Sequence, residues 1–360
     1  MDRESETLLK WYDTSRRILP WREDPTPYHV WLSEIMLQQT RVEAVMEYYR
    51  RFLSELPDVE ALAAAPEEQY LKLWEGLGYY SRIRNMHKAA VRIMEDYGGS
   101  IPSTAAELEK LPGIGHYTAA AIASIAFGQP VSSVDGNLLR VFSRMTLYGT
   151  DAKSPQAKKD AEAYFMERMP QDRPGDYNQA LMDLGATVCL PNGTPHCEDC
   201  PWKDVCQAHA SGRELDFPVL PPKAGRAKEQ RTVFLISDGT RILLGKRPNK
   251  GLLAGLCEFP GTDGALRTDE AGQFVRDLGY DVTGIRKLPK AKHIFSHKEW
   301  HMTGYAVNVR SLDGAVPADT TARARLSSVE LFPATKAEME TRWSIPSAFS
   351  AFLPGALADG

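Results

Sequence analysis

Apolar residues recur at intervals of three and four through "WLSEIMLQQTRVEAVMEYYRRFL" (31–53) and "EEQYLKLWEGLGYYSRIRNMHKAAVRIM" (67–94), the spacing of helices that bury one stripe. The same rhythm runs through nearly all of residues 1–208, where strand signals are almost absent. Near residue 210 it breaks, and "SGRELDFPVLPPKAGRAKEQR" carries the prolines and scattered charge of a connector. Beyond it the period becomes two: "RTVFLI", an Asp238-Gly239 turn and "RILLGKR" predict a β-hairpin. The pattern therefore predicts an α + (α+β) chain, with an all-helical domain over 1–208, a linker over 209–230 and an α/β domain over 231–350.

Inside the helical part, "LPGIGHYTAA" (111–120) punctuates the rhythm. Thr104 and Glu107 form a capping-box pattern for a short helix ending at Leu111, Pro112 to Gly115 turn the chain, and an alanine-rich helix leaves. This is a helix-hairpin-helix. Gly113 and Gly115 allow close backbone approach to a partner, and amides at the start of the second helix suit a phosphate. A Gly-x-Gly turn alone is more often only a tight turn. About twenty residues on, "VSSVDGNLLRVFSR" places Asp135 at the start of a further helix.

Bulk composition changes this picture little. The 360 residues are 43% hydrophobic and 25% charged, enough for two cores, with no apolar run long enough to span a bilayer. "MDRESETLLKWYD" has neither a basic leader nor an apolar core, which predicts a cytoplasmic protein. Residues 1–225 hold 24 Lys and Arg against 32 Asp and Glu, and the remainder 19 against 15, so net charge announces no polyanion partner. A local cluster, Arg82, Arg84, Lys88 and Arg92, offers a phosphate grip, but taken alone it reads better as a solvated helix face. Four of the five cysteines crowd together as Cys189, Cys197, Cys200 and Cys206, with seven, two and five residues between them. That spacing favours a metal centre over disulfides and, by itself, leaves zinc and iron–sulfur both open.

The hairpin, "VDGN" and the cysteine cluster together resemble the helix-hairpin-helix DNA glycosylases, and "SEIMLQQTRVE" with "GLGYYSR" narrows the resemblance to adenine DNA glycosylases of the MutY type, over nearly the whole chain. The resemblance implies two helical modules beside a cleft, a [4Fe–4S] cluster on the four cysteines, and double-stranded DNA bearing adenine opposite 8-oxoguanine as substrate for a monomer. The first cysteine gap is one residue longer than the family's usual six. Glu34, with Trp31 and Leu37 one turn to either side, is the expected acid for an adenine ring nitrogen, its proton held by desolvation. Asp135 caps a helix, where amides and the helix dipole favour the charged form that steadies a sugar cation. Tyr117 stands where endonuclease III-like enzymes have a lysine that attacks the sugar; a tyrosine cannot form that Schiff base, so a monofunctional enzyme is expected, with Tyr117 and Asn137 orienting Asp135 or the intermediate. By resemblance, Tyr79 wedges into the base stack, Gln39 intrudes near the opposite base, Thr40 and Leu77 touch 8-oxoguanine, and Trp21, Arg22, Leu37 and Gln179 line the adenine pocket of a flipped base.

The last part of the chain resembles a Nudix domain: "GLLAGLCEFPG" precedes a helix ending "DLGY". Residues 272–280 fall on the Nudix box, but only Asp277 remains acidic among its metal ligands, so hydrolysis of a diphosphate is not expected. The domain is expected instead to read the base opposite the adenine, with Phe295, Ser296 and His297 of "HIFSHKEW" as the sensing loop and Ser296 bonding the lesion. Cys257, where the family often has tryptophan, is expected to be buried. The rival readings are a glycosylase for mispaired thymine or uracil and a DNA-damage sensor without catalysis.

Overall fold

The computed structural model describes residues 2–222, 225–313 and 321–357. The helices in the first part of the chain are α1 (Arg3–Ser15), α2 (Pro20–Glu23), α3 (Pro27–Leu37), α4 (Val42–Glu55), α5 (Val59–Ala64), α6 (Glu67–Leu73), α7 (Ser81–Tyr97), α8 (Ala105–Leu108), α9 (His116–Phe127), α10 (Gly136–Thr146), α11 (Pro155–Glu167), α12 (Pro174–Asp183) and α13 (Gln207–Ala210). Among the described residues no strand precedes residue 227. None of the described helices is long and apolar enough to cross a membrane.

Packing divides the chain into one unit of residues 1–65 and 81–223 and a second of 66–80 and 224–360. The α6 segment, which the sequence pattern assigns to the helical domain, thus packs with the C-terminal unit. Parts of the expected linker are tied to the helical unit. α13 runs across residue 208, the Arg144 guanidinium donates to the carbonyls of Glu214 (2.9 Å) and Phe217 (3.0 Å), and the Ala152 amide donates to Val219 O at 3.0 Å. Residues 223–224 of that linker, and 314–320 of the expected second domain, lie outside the described residues.

One core of the helical unit joins Leu8 and Tyr12 of α1, Leu138 and Phe142 of α10, Phe165 of α11, Tyr177 and Leu181 of α12, and Trp202. The α8–α9 pair is the hairpin. Thr104 caps α8, its hydroxyl accepting from the Glu107 amide at 3.3 Å, but the reciprocal half of the box is not formed because Lys110 (2.5 Å) and the Tyr97 hydroxyl (3.3 Å) take the Glu107 carboxylate. α8 closes at Leu108, short of the expected Leu111. Gly113 has φ +78°, and a Cβ there would lie 2.6 Å from Asn85 Cβ, so its glycine is demanded by the protein itself. Gly115, the N-cap of α9, has φ −89° and open space around its absent Cβ.

The C-terminal unit is built on a mixed sheet. β1 (Ala227–Ser237) and β2 (Arg241–Lys246) form the expected hairpin, with Gly239 at φ +93° in its turn. Then follow β3 (Cys257–Glu258), β4 (Gly261–Asp263), the helix α14 (Thr268–Asp277), β5 (Val282–Lys287), β6 (Ala291–Ile294), β7 (Lys298–Val309), a turn of helix at Thr321–Ala324 and β8 (Glu330–Thr335). The strand order is β3-β2-β1-β7-β5, with β1 and β7 parallel; β4 pairs β1, β6 pairs β7 and β8 pairs β2. β1 alternates faces: Val233 and Leu235 pack with Phe259, Trp300 and Phe349 on one side, Phe234 and Ile236 with Phe274, Val275 and Tyr305 on the other. α14 covers the second side, Phe274 stacking on Phe234 at 5.1 Å. Cys257 is buried on the first side.

The two hairpin glycines separate folding from binding. Gly113→Ala should cost about 1–3 kcal/mol in chemical denaturation, whereas Gly115→Ala should stay within about 0.5 kcal/mol and instead weaken duplex DNA binding measured by titration. Equal stability of the two variants would contradict this division.

Candidate active site

α3 sets the centre. Thr26 caps it, its hydroxyl accepting from the His29 amide at 3.2 Å, and Pro27 opens the first turn. Its other end is tied by Arg82, whose Nη1 donates to the carbonyls of Ile35 (2.8 Å), Met36 (3.1 Å) and Gln38 (2.5 Å). The helix is buried almost all round, by Tyr28, Val30, Trp31, Leu32, Ile35 and Met36, and Glu34 sits among them at 6% exposure. Burial pushes its pKa up to about 7; the Asp135 charge adds to the rise, while the Tyr117 hydrogen bond and the Arg22 charge oppose it.

The Tyr117 hydroxyl, on α9, donates to Glu34 Oε2 at 2.7 Å. Its hydrogen bond thus goes to Glu34, and no hydrogen bond joins it to Asp135 among the described residues. Burial and the two nearby carboxylates raise the phenol's pKa well above its usual value, so it remains a neutral donor. Asp135 caps α10 and accepts from the Asn137 amide, the Leu138 amide and the Asn137 side-chain amide, each at 2.8 Å. These donors favour its charged form, yet burial is the larger effect and its pKa is raised, against the expectation from the cap alone. Asn137 is in turn held by Arg140 Nη2 at 2.9 Å, and the same guanidinium donates to Gly185 O (2.6 Å) and Cys189 O (2.8 Å).

Beside Glu34 opens a recess, partly continuous with solvent, whose walls include Trp21, Arg22, Leu37 and Gln179. Trp21 is fixed edge-on against Tyr49 at 5.4 Å. Arg22 forks onto Asp183 at 2.7 and 3.0 Å, and Arg17 donates to the same carboxylate at 2.7 Å. Asp183 is fully buried, and this double pairing keeps its pKa below the ordinary value despite burial. Arg17, Asp183 and Met182 escape sequence reasoning; the signal for Asp183 was an acid inside the apolar run "ALMDLGA".

Of the remaining expected contacts, Gln39 (exposed, φ +59°) and Thr40 follow α3 in the helical unit, as do Gly113 and Gly115 of the hairpin. Leu77 (buried), Tyr79 (46% exposed), Phe295, Ser296 and His297 belong to the C-terminal unit. Phe295 packs edge-on against Trp300 at 4.9 Å, leaving Ser296 and His297 exposed at the tip between β6 and β7. Asp277, alone on the former metal box, accepts from Gln273 at 2.7 Å.

Cys189, Cys197, Cys200 and Cys206 all line one cavity in the helical unit, with Trp202, His209 and Glu214 among its walls. Burial, with the charge of Glu214 and of the neighbouring cysteines, pushes the Cys197 thiol up to about 11, and burial with the neighbouring cysteines pushes Cys200 up to about 12. Arg144 Nη1 donates to Cys189 Sγ at 3.1 Å. Four cysteine sulfurs on one cavity are the donor set of a multi-iron cluster with a cysteine at each corner, and equally of one tetrahedral zinc ion bound at about 2.3 Å from each sulfur. The longer first gap is taken up in a loop, residues 190–196, outside helix and strand.

Residues 32–171 match the family model described as HhH-GPD superfamily base excision DNA repair protein, and residues 232–352 match that of the NUDIX domain. The chain is 37% identical to an adenine DNA glycosylase of Rattus norvegicus, covering 87% of this chain and 71% of that one, and 37% identical to an adenine DNA glycosylase of Homo sapiens, covering 87% and 68%. The structure of a thermostable thymine-DNA glycosylase superposes with a TM-score of 0.53 at 29% identity, over 57% of this chain and 95% of that one. The fold and site thus define a helix-hairpin-helix DNA glycosylase of base excision repair joined to a Nudix-like domain. Within that class, the chain belongs to the adenine DNA glycosylase family.

The raised pKa of Glu34 has a stability consequence with a definite sign. Between pH 4.5 and about 7 the folded protein retains a proton that the unfolded chain releases, so this group's contribution falls as pH rises through that window. Glu34→Gln should therefore gain on wild type by about 3 kcal/mol between pH 4 and pH 8, read as the pH dependence of the denaturation midpoint. A constant difference across that range would refute the burial argument.

Proposed function

We propose that this chain is a monofunctional glycosylase, acting as a monomer on duplex DNA, that excises adenine paired with 8-oxoguanine and with guanine. The observation that carries the reading is the Glu34 carboxyl, buried at the wall of a recess lined by Trp21, Arg22, Leu37 and Gln179 and hydrogen-bonded to the Tyr117 hydroxyl at 2.7 Å, with its pKa pushed up to about 7 by that burial. Glu34 gives its proton to a ring nitrogen of the everted adenine. The C1′–N bond breaks with its electron pair going to the base, and Asp135 faces the sugar cation until water adds at C1′. Asn137 orients Asp135, and Tyr117 orients Glu34. With a tyrosine in the hairpin there is no amine to attack C1′, so an abasic site is left and the strand stays whole. Trp21, Arg22, Leu37 and Gln179 hold the adenine; Tyr79 and Gln39 fill the stack; Thr40, Leu77 and the Phe295–Ser296–His297 tip read the opposite base.

The reading over thymine or uracil is supported by coverage. The thymine-DNA glycosylase likeness extends over 57% of the chain, while the adenine DNA glycosylase relatives match 87% of it, the Nudix-like domain included. A [4Fe–4S] cluster on Cys189, Cys197, Cys200 and Cys206 would supply no step of the hydrolysis; it would order the loop that presents Lys203 to phosphate.

The decisive assay incubates duplexes bearing A opposite 8-oxoguanine, G or T with the protein, with and without alkali. Strand breakage should appear only after alkali and only for the first two, Glu34→Gln should lose adenine release by at least about 100-fold while still binding, and the rate should decline as pH rises through about 7. Wild-type protein that binds without releasing adenine would establish the sensor instead. Elemental analysis should give about four iron and four sulfide per chain; stoichiometric zinc would replace the cluster.

A further inference from the structure

The loop that presents Tyr79 is built to hold one shape. Gly76 (φ +101°), Gly78 (φ +68°) and Tyr79 (φ +46°) all occupy the left-handed region, which a tyrosine adopts only under constraint from its surroundings. Fully buried Trp74 supplies part of it, donating Nε1 to Gly78 O at 3.1 Å and accepting the Leu77 amide at its own carbonyl. The ring at the top is 46% exposed, an aromatic surface fixed in place for a base to stack on.

The stem of this loop is clasped from the far end of the chain. Lys72, on α6, pairs with Glu75 Oε2 at 2.6 Å and donates to the carbonyls of Met339 (3.0 Å) and Trp343 (3.3 Å). The other oxygen of Glu75 accepts from the Ile345 amide at 2.7 Å. The two side chains are only 21% and 28% exposed, so this pair is partly withdrawn from water and fixes geometry more firmly than a surface ion pair does. Ser344 adds a 3.5 Å contact to the Tyr80 hydroxyl. All of these residues lie in the unit that also carries Phe295, Ser296 and His297.

We infer that Lys72 and Glu75 are positioning residues that place Tyr79 under the control of the C-terminal domain, so that stacking of the wedge and reading of the opposite base are one event. The clasp acts on discrimination between 8-oxoguanine and guanine, through Tyr79, and leaves proton transfer from Glu34 untouched. This rests on the proposed roles of Tyr79 and the 295–297 tip as DNA contacts.

The test compares full-length, cluster-loaded wild type with Glu75→Ala, Glu75→Gln and Lys72→Met in single-turnover cleavage of A:8-oxoguanine and A:G duplexes, with 2-aminopurine in place of adenine reporting extrusion. Glu75→Ala should lower the rate ratio between the two duplexes roughly tenfold and weaken the extrusion signal, with the pH profile of cleavage unchanged. Glu75→Gln, which keeps an acceptor for the Ile345 amide, should restore the ratio to within about twofold. Lys72→Met should shift it in the same direction as alanine, which serves if Glu75→Ala does not fold. Wild type that releases no adenine sinks the functional reading and this inference with it. An active wild type whose ratio survives both Glu75→Ala and Lys72→Met, or slows equally on both duplexes, sinks the clasp alone.

Discussion

One hydrogen bond, from the Tyr117 hydroxyl to Glu34 Oε2, joins the hairpin helix α9 to the buried helix α3. It exists because α3 has no solvated face on which a carboxylate could rest, so the buried acid is hydrogen-bonded to a neutral phenol. The bond opposes the rise in pKa and burial outweighs it, leaving the acid near neutrality, where a proton is both held and transferable. A more exposed helix would yield an ordinary ionised glutamate, and a lysine at 117 would ionise Glu34 by ion pairing as well as change the chemistry.

Around this pair, geometry is kept by guanidinium groups bonded to backbone. Arg82 collects three carbonyls at the end of α3, Arg140 gathers Asn137, Gly185 and Cys189, and Arg144 spans Cys189, Leu190 and the chain at 214–217. Each satisfies carbonyls that helix ends and turns leave without partners, using a planar set of donors that lysine does not offer. One consequence is a continuous chain of contacts from Asp135 through Asn137 and Arg140 to the backbone of Cys189. The Asp135 cap and the cysteine cavity share one framework.

The C-terminal unit keeps a Nudix-like architecture on apolar packing. β1 is buried on both faces and stacks α14 against one of them, so the architecture depends on Phe234, Phe274 and Tyr305 and not on metal-binding carboxylates. The same unit carries an exposed hairpin tip between β6 and β7 and the backbone groups that hold the stem of the Tyr79 loop.

Periodicity, turn residues and cysteine spacing determined the two-part architecture, the hairpin and the position of Asp135 at a helix start, because these are local properties that neighbouring residues dictate. Glu34 was legible as an acid between apolar residues one turn apart, though its depth of burial was not. Tertiary structure alone decided that Tyr117 bonds to Glu34, that Asp183 anchors the two arginines of the recess, and that residues 66–80 pack with the far end of the chain. Hydrogen bonds between residues 83, 161 and 270 positions apart leave no trace in local periodicity. They follow from which surfaces meet once the helices have formed.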